Sequence, residues 1–205
     1  CERRKKDLSR LYLRMAELAE MLQRQRPDVV PLDFASKAYS YDSSHPEIVA
    51  IFTRFLLAAE LPDKAIHVLD DFLKSHRTHL AQKWVVEFET EVARIWEQVL
   101  NRPDLALRRY QEAFRKDPSH QEALRFLENH YRKEEDPLSL AYVLAAKLKH
   151  LELAESRRHA YLDELVQMAA PGQGGHKEVE NLLREGLLAT AQRHQLREKD
   201  VDRIL

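Results

Sequence analysis

Apolar and polar positions follow a helical spacing along nearly the whole chain. Between Leu80 and Leu100 the apolar residues are Ala81, Trp84, Val85, Phe88, Val92, Ile95, Trp96, Val99 and Leu100. Steps of three and four place them on one face of a single long helix. Residues 104–114 repeat the spacing with Leu105, Ala106, Tyr110, Ala113 and Phe114, and residues 120–131 with Ala123, Leu124, Leu127 and Tyr131. No strand-like alternation persists over a useful length. The pattern predicts an all-α chain of about five antiparallel helix pairs: 7–24 with 31–42, 46–60 with 62–75, 78–100 with 103–116, 119–133 with 137–151, and 155–169 with 177–194. An eleventh helix is expected to start at 198–205.

The prolines give the pattern its period. Pro31, Pro62, Pro103, Pro137 and Pro171 are separated by 31, 41, 34 and 34 residues, and the first four each open a helical segment. Proline suits the first helical position because its missing N–H would be unpaired there in any case. Helix starts recurring at about 34 residues indicate stacked helix–turn–helix units. Asp42-Ser43-Ser44-His45-Pro46 and Asp117-Pro118-Ser119-His120 join polar N-capping residues to prolines, and Gly172-Gln173-Gly174-Gly175 reads as a flexible turn. Nothing else resembles a linker, so residues 1–205 read as one continuous helical repeat domain.

Composition agrees. Charged residues make up 33% and hydrophobic ones 44%, enough apolar surface for a core beneath a polar exterior. No apolar run approaches the roughly 20 residues that cross a bilayer. A net charge of −1 gives no overall attraction to nucleic acid, which is not an expected partner. Cys1 is the single cysteine, which rules out an intrachain disulfide. The sequence starts without methionine and stops in mid-helix, so it reads as a fragment of a longer chain, with a lipid-bearing Cys1 as the sharper alternative. A cytoplasmic location is favoured over a lipidated one, and the compartment is otherwise open.

Residues 90–135 carry a family resemblance. Ala106-x3-Tyr110-x2-Ala113-x4-Pro118 resembles the second helix of a tetratricopeptide repeat, and Leu124-x2-Leu127-x3-Tyr131 is similar to the first helix of the next. Ala65 and Leu69 hold the small and large positions of a more degenerate repeat, which lacks the proline after it. The resemblance implies a right-handed superhelical solenoid that holds a peptide or helix of a partner protein in its concave groove, without catalysis or a cofactor. A second resemblance is to the half-repeat scaffolds of RNA-processing complexes, carried by Trp84, Phe88-Glu89 and the run from Ala93 to Leu100. That family has a turn between its two helices, so a break near residues 89–92 would favour it and an unbroken helix would not.

The tetratricopeptide register also nominates groove residues. Anchored at Tyr131 it selects Asn129 and Arg125, with Glu122 at the rim; anchored at Trp96 it selects Arg94 and Thr90, with Glu87 and Glu97 near the edges. On the helix 46–60 it selects Arg54, with Ala50 below it. Arg54, Arg94, Arg125 and Asn129 would form a ladder of donors, and an arginine fork grips a carboxylate through two hydrogen bonds. The expected partner is therefore an acidic or carboxylate-bearing peptide. Arginines merely solvated or paired with nearby glutamates are the competing reading, and self-association through the apolar ends of the stack is a further one.

Other chemistry is not legible. His76-x2-His79 is too isolated for a metal site, and His176-x3-Glu180 lacks further ligands nearby. The glycine cluster lacks a following Lys-Ser or Lys-Thr, which excludes a phosphate loop. Trp84, Trp96 and Tyr110 sit on apolar stripes and read as core. The run Arg3-Arg4-Lys5-Lys6 reads as a solvated helix start rather than a contact for nucleic acid or lipid headgroups.

Overall fold

The computed structural model describes residues 2–23, 25–169 and 176–193, and every regular element among them is helical. Ten helices follow one another: α1 (Glu2–Leu22), α2 (Pro31–Tyr41), α3 (Pro46–Ala58), α4 (Pro62–His76), α5 (Gln82–Arg94), α6 (Pro103–Lys116), α7 (Gln121–Lys133), α8 (Pro137–His150), α9 (Glu155–Met168) and α10 (His176–Arg193). Pro31, Pro46, Pro62, Pro103 and Pro137 each occupy the first position of a helix, as the proline argument requires. Cys1, the glycine cluster 172–175 and the expected helix at 198–205 lie outside the described residues.

Three of the proline turns share a feature that the sequence hides. Glu60, Asn101 and Glu135 adopt left-handed backbone (φ 58°, 52° and 53°), each two residues before the proline that opens the next helix. Behind Glu60 the Leu61 amide donates to the Leu56 carbonyl at 2.9 Å, and behind Glu135 the Asp136 amide donates to the Tyr131 carbonyl at 3.0 Å. These six-to-one bonds close the helix ends in the manner normally given to glycine. A left-handed residue, one spacer and a proline therefore make the recurring corner.

The chain forms two compact units, residues 1–109 and 110–205. In the first, α1 packs on α2, α2 on α3, α3 on α4 and α4 on α5. Its core includes Val49, Phe55, Leu69, Phe72, Phe88 and Ile95, all buried, with Trp84 and Trp96 packed partly buried against them. Fully burying one such side chain is worth about 2 kcal/mol, so packing rather than helix propensity holds the pairs together. In the second unit α7 packs on α8, α8 on α9, α9 on α10, and α10 returns against α8. There Leu144, Leu148, Leu165 and Leu183 are buried. Gly186 permits the α10–α8 approach, since a Cβ at this position would lie 2.9 Å from Leu148 Cδ1.

Two expectations for the long helix need correction. The backbone is helical across residues 89–92, but α5 ends at Arg94 and continues as a π-helical turn over Ile95–Val99. The Leu100 amide reaches back five residues to the Ile95 carbonyl at 3.0 Å. This wider turn takes Val99 off the apolar face, leaving it 57% exposed instead of in the stripe. At the start, residues 78–81 form a turn rather than helix, and α5 begins at Gln82. Leu105 likewise faces outward, whereas Ala106, Tyr110 and Ala113 of α6 are fully buried.

Candidate functional site

Each unit carries a cleft that includes residues named by the register argument. In the first unit a cleft of about 370 Å³ lies between α3, α4 and α5. Ala50 and Arg54, one turn apart on α3, form one wall, while Glu87, Glu91 and Arg94 at four- and three-residue steps on α5 form the other. Leu69 and Phe88, both buried, form an apolar floor. Arg54 and Arg94 are thus brought to one cleft. Each already meets a carboxylate: Arg54 Nη2 donates to Glu20 Oε2 at 2.8 Å, and Arg94 donates to Glu91. Two arginines and two glutamates give this lining a balanced charge. Thr90, expected to face inward, is instead 2% exposed within the core, and its hydroxyl has no hydrogen-bond partner. Its neighbour Glu91 and the residues one turn away, Glu87 and Arg94, line the cleft.

In the second unit a cleft of about 500 Å³ is lined by Arg125 and Glu128 of α7, Lys147 of α8, and Ser156, Arg157, Ala160 and Tyr161 of α9. Arg125 stands here on the exposed side of its helix. Asn129, one turn further on, is also exposed but is not among the lining residues. The predicted Arg125–Asn129 pair is therefore divided: the arginine takes part in a concave site and the asparagine does not.

The sequence reading missed the groups beside Arg125. Lys147 is only 8% exposed and donates to Glu128 Oε2. Arg132 Nη2 donates to the other oxygen at 2.9 Å and also bonds Glu164, while the Tyr161 hydroxyl lies 3.3 Å from Glu128 Oε2. Burial pushes the Glu128 carboxyl upward, but the hydrogen bonds and charges of Lys147 and Arg132 outweigh it, and its pKa lies below the ordinary 4.5. The Tyr161 phenol is raised, by burial first and then by the Glu128 charge. One signal was available for Lys147: it is the first charged residue in the apolar run of α8, followed directly by Leu148.

The first unit has a counterpart in Glu89. It sits on the apolar face of α5 at 1% exposure, with Arg109 Nη1 3.0 Å from Oε2 and Arg77 Nη2 3.0 Å from Oε1. The Arg77 contact lacks the alignment of a hydrogen bond, so it acts through charge alone. Arg109 also donates to Asp70 at 2.6 Å. These groups belong to the interior support of α5 rather than to the cleft lining.

Among the described residues no group of three or more His, Cys, Asp or Glu side chains could hold a metal ion, and no helix is long and apolar enough to cross a membrane. His76 stacks on Phe72, and its Nδ1 lies 3.1 Å from the Phe72 carbonyl, which accounts for it structurally. The two clefts offer cations, carboxylates and apolar surface. No family model, curated protein or solved structure matches this chain.

Proposed function

We propose that this chain is a non-catalytic interaction scaffold of the tetratricopeptide kind, a right-handed solenoid that holds an acidic peptide or helix of a partner protein along its concave side. The observation that carries the reading is the placement of Arg54 and Arg94 in one cleft and Arg125 in another, each beside partly apolar walls. Of the four residues chosen from repeat register, Arg54, Arg94 and Arg125 line a cleft and Asn129 does not. The helix pairs packed in sequence and the proline-opened corners at Pro62, Pro103 and Pro137 also support it. The existing partners Glu20 and Glu91 are compatible with the role, because a partially exposed ion pair is worth little and holds the arginine side chain in place. An acidic ligand would exchange with them at small cost.

The half-repeat RNA-processing scaffold receives less support, because α5 is continuous over residues 89–92, where that reading needs a turn. The π turn over Ile95–Val99 is a change of helical register, not a turn between two helices.

The test is an affinity capture from the native source with the wild-type chain and with an Arg94→Glu/Arg125→Glu variant. A protein captured by the wild type and lost with the variant is the expected result. Capture that survives the charge reversal would overturn the groove assignment, and capture abolished by ribonuclease would favour the RNA-processing scaffold.

A further inference from the structure

We propose that α1 pairs with the α1 of a second copy of this chain, side by side and antiparallel, to give a closed dimer. The contact lies beyond the proposed function and uses neither cleft. Leu8, Leu11, Met15, Leu18 and Leu22 follow one another at steps of three and four, which sets them in one narrow row along the helix. Leu11 and Leu18 are each 56% exposed and Leu22 is 45% exposed, with Met21 beside them at 79%. A second row, Ser9, Ala16 and Ala19, is buried, and Ser9 donates to the Ala38 carbonyl of α2 at 2.8 Å. On a further side Glu20 bonds Arg54 of α3. Two residues along a helix are about 200° apart around it, so Leu18 faces away from α3. The apolar surface of α1 therefore suits one more neighbour than its own unit supplies.

Exposed apolar surface is concentrated in this part of the chain. Ten large apolar side chains are exposed among the described residues, and six of them belong to α1, α2 and their connection: Leu11, Leu18, Met21, Leu22, Val30 and Tyr41. Scattered singly they would need no explanation, but a row at helix–helix spacing marks an interaction surface.

The row calls for another helix with the same steps, and α1 itself carries them. An isologous contact buries each exposed side chain twice, once in each copy, so one helix face supplies both halves of the interface. At 21 residues α1 is about 32 Å long, enough for its counterpart to cover the whole row. Charge sets the direction. Residues 2–11 hold five cations and two carboxylates, 5 − 2 = +3, and residues 12–22 hold one cation and two carboxylates, 1 − 2 = −1. Those two carboxylates, Glu17 and Glu20, are met by Arg14 and Arg54, so the second half has no charge to spare. Parallel copies would set +3 against +3, whereas antiparallel copies set the basic half against one near neutrality. An anionic bilayer fits less well, because the row has the width of a helix–helix seam and not the broad apolar face of a helix lying in a membrane.

The test is sedimentation equilibrium of the full chain over a range of concentrations. One helix pair is a small interface, so the dimer should be half-populated at about 10–100 µM and growth should stop there. Leu18→Glu should weaken association by about tenfold or more with helicity unchanged, since Leu18 is exposed, whereas Val166→Glu, at an equally exposed site in the other unit, should leave it intact. Disulfide trapping in a Cys1→Ser background reads the direction. Leu11→Cys mixed with Leu18→Cys should cross-link, while either variant alone holds its thiols about 10 Å apart and should not. A chain that stays monomeric, equal weakening by Val166→Glu, or oligomers that keep growing with concentration would each overturn the dimer. Efficient trapping of Leu18→Cys with itself would overturn the antiparallel arrangement. A monomer that instead sediments with phosphatidylserine vesicles, and loses this with Leu18→Glu, would reassign the row to a membrane surface.

Discussion

Glu89 in residues 1–109 and Glu128 in residues 110–205 are both carboxylates on helix faces that are otherwise apolar, yet their surroundings differ. The Glu89 side chain is 1% exposed and touches Arg77 and Arg109 well away from the cleft lining. Glu128 is 13% exposed, lines its cleft, and is bonded by a lysine that lines it too. The same device, an acid clamped by two cations, supports helix packing in one unit and lines a cleft in the other. Burial depth separates the two, although both carboxylates are compensated within the fold.

The comparison is tested most severely at Glu89. Glu89→Ala removes the buried carboxylate that Arg109 bonds and empties its place in the core, and should cost about 3 kcal/mol in denaturant unfolding. Replacing both partners, as Glu89→Leu with Arg109→Met, should recover most of that loss, because two apolar groups need no counter-charge. A double variant as unstable as Glu89→Ala would show that the carboxylate does more than neutralise Arg109. In the second unit Lys147→Met should cost less, about 1–2 kcal/mol, since Arg132 and Tyr161 still satisfy Glu128. A larger loss for Lys147→Met than for Glu89→Ala would reverse the ordering drawn from burial.

These two acids also mark where the sequence stops being legible. Helix number and type follow from apolar steps of three and four, and helix starts follow from Pro31, Pro46, Pro62, Pro103 and Pro137. Both signals are local, so one sequence carries them. Register gave Arg54, Arg94 and Arg125, since side chains on one helix face share a period. It could not give Arg157 or Tyr161, because their nearness to Arg125 depends on how α7, α8 and α9 pack. Thr90 and Val99 failed for local reasons of another kind: one is a polar residue small enough to be buried, the other ends a π turn that no residue type announces. The two Asp-x-Ser-His segments show the same limit. Asp42 and Asp117 each accept from the serine two residues on, but His120 Nδ1 accepts the Ala123 amide at 3.4 Å, while His45 Nδ1 has no partner.

Acid should weaken the Glu128 clamp. The folded pKa of Glu128 lies below its unfolded value near 4.5, so the unfolded chain binds the extra proton first as pH falls. Its contribution is complete above about pH 5 and is lost as pH falls through 4.5 towards the folded value. Asp136, held low by its cap bonds to Ser139, acts in the same direction. Amide hydrogen exchange in residues 121–168 should therefore accelerate as pH is lowered from 5 to 3, after correction for intrinsic rates. Glu128→Gln should flatten that dependence, leaving the share due to Asp136. An unchanged slope in Glu128→Gln would show that the clamp is already formed in the unfolded chain or adds nothing to stability.

The smallest expected effect concerns the corners shared by both units. Glu60 and Glu135 hold left-handed backbone at a cost of about 1–2 kcal/mol, and glycine there would relieve it while adding about 0.5–1 kcal/mol of unfolded-state freedom. Glu60→Gly and Glu135→Gly should each stabilise the chain by about 0.5 kcal/mol, measured by denaturant midpoint at constant slope. Asn101→Gly should change little, since asparagine already tolerates this region. The contrast between glutamate and asparagine isolates backbone strain from side-chain contact: if all three substitutions destabilise, the corner depends on what these side chains touch. If only the two glutamate sites gain, the left-handed residue before Pro62 and Pro137 is a purely conformational element of these corners.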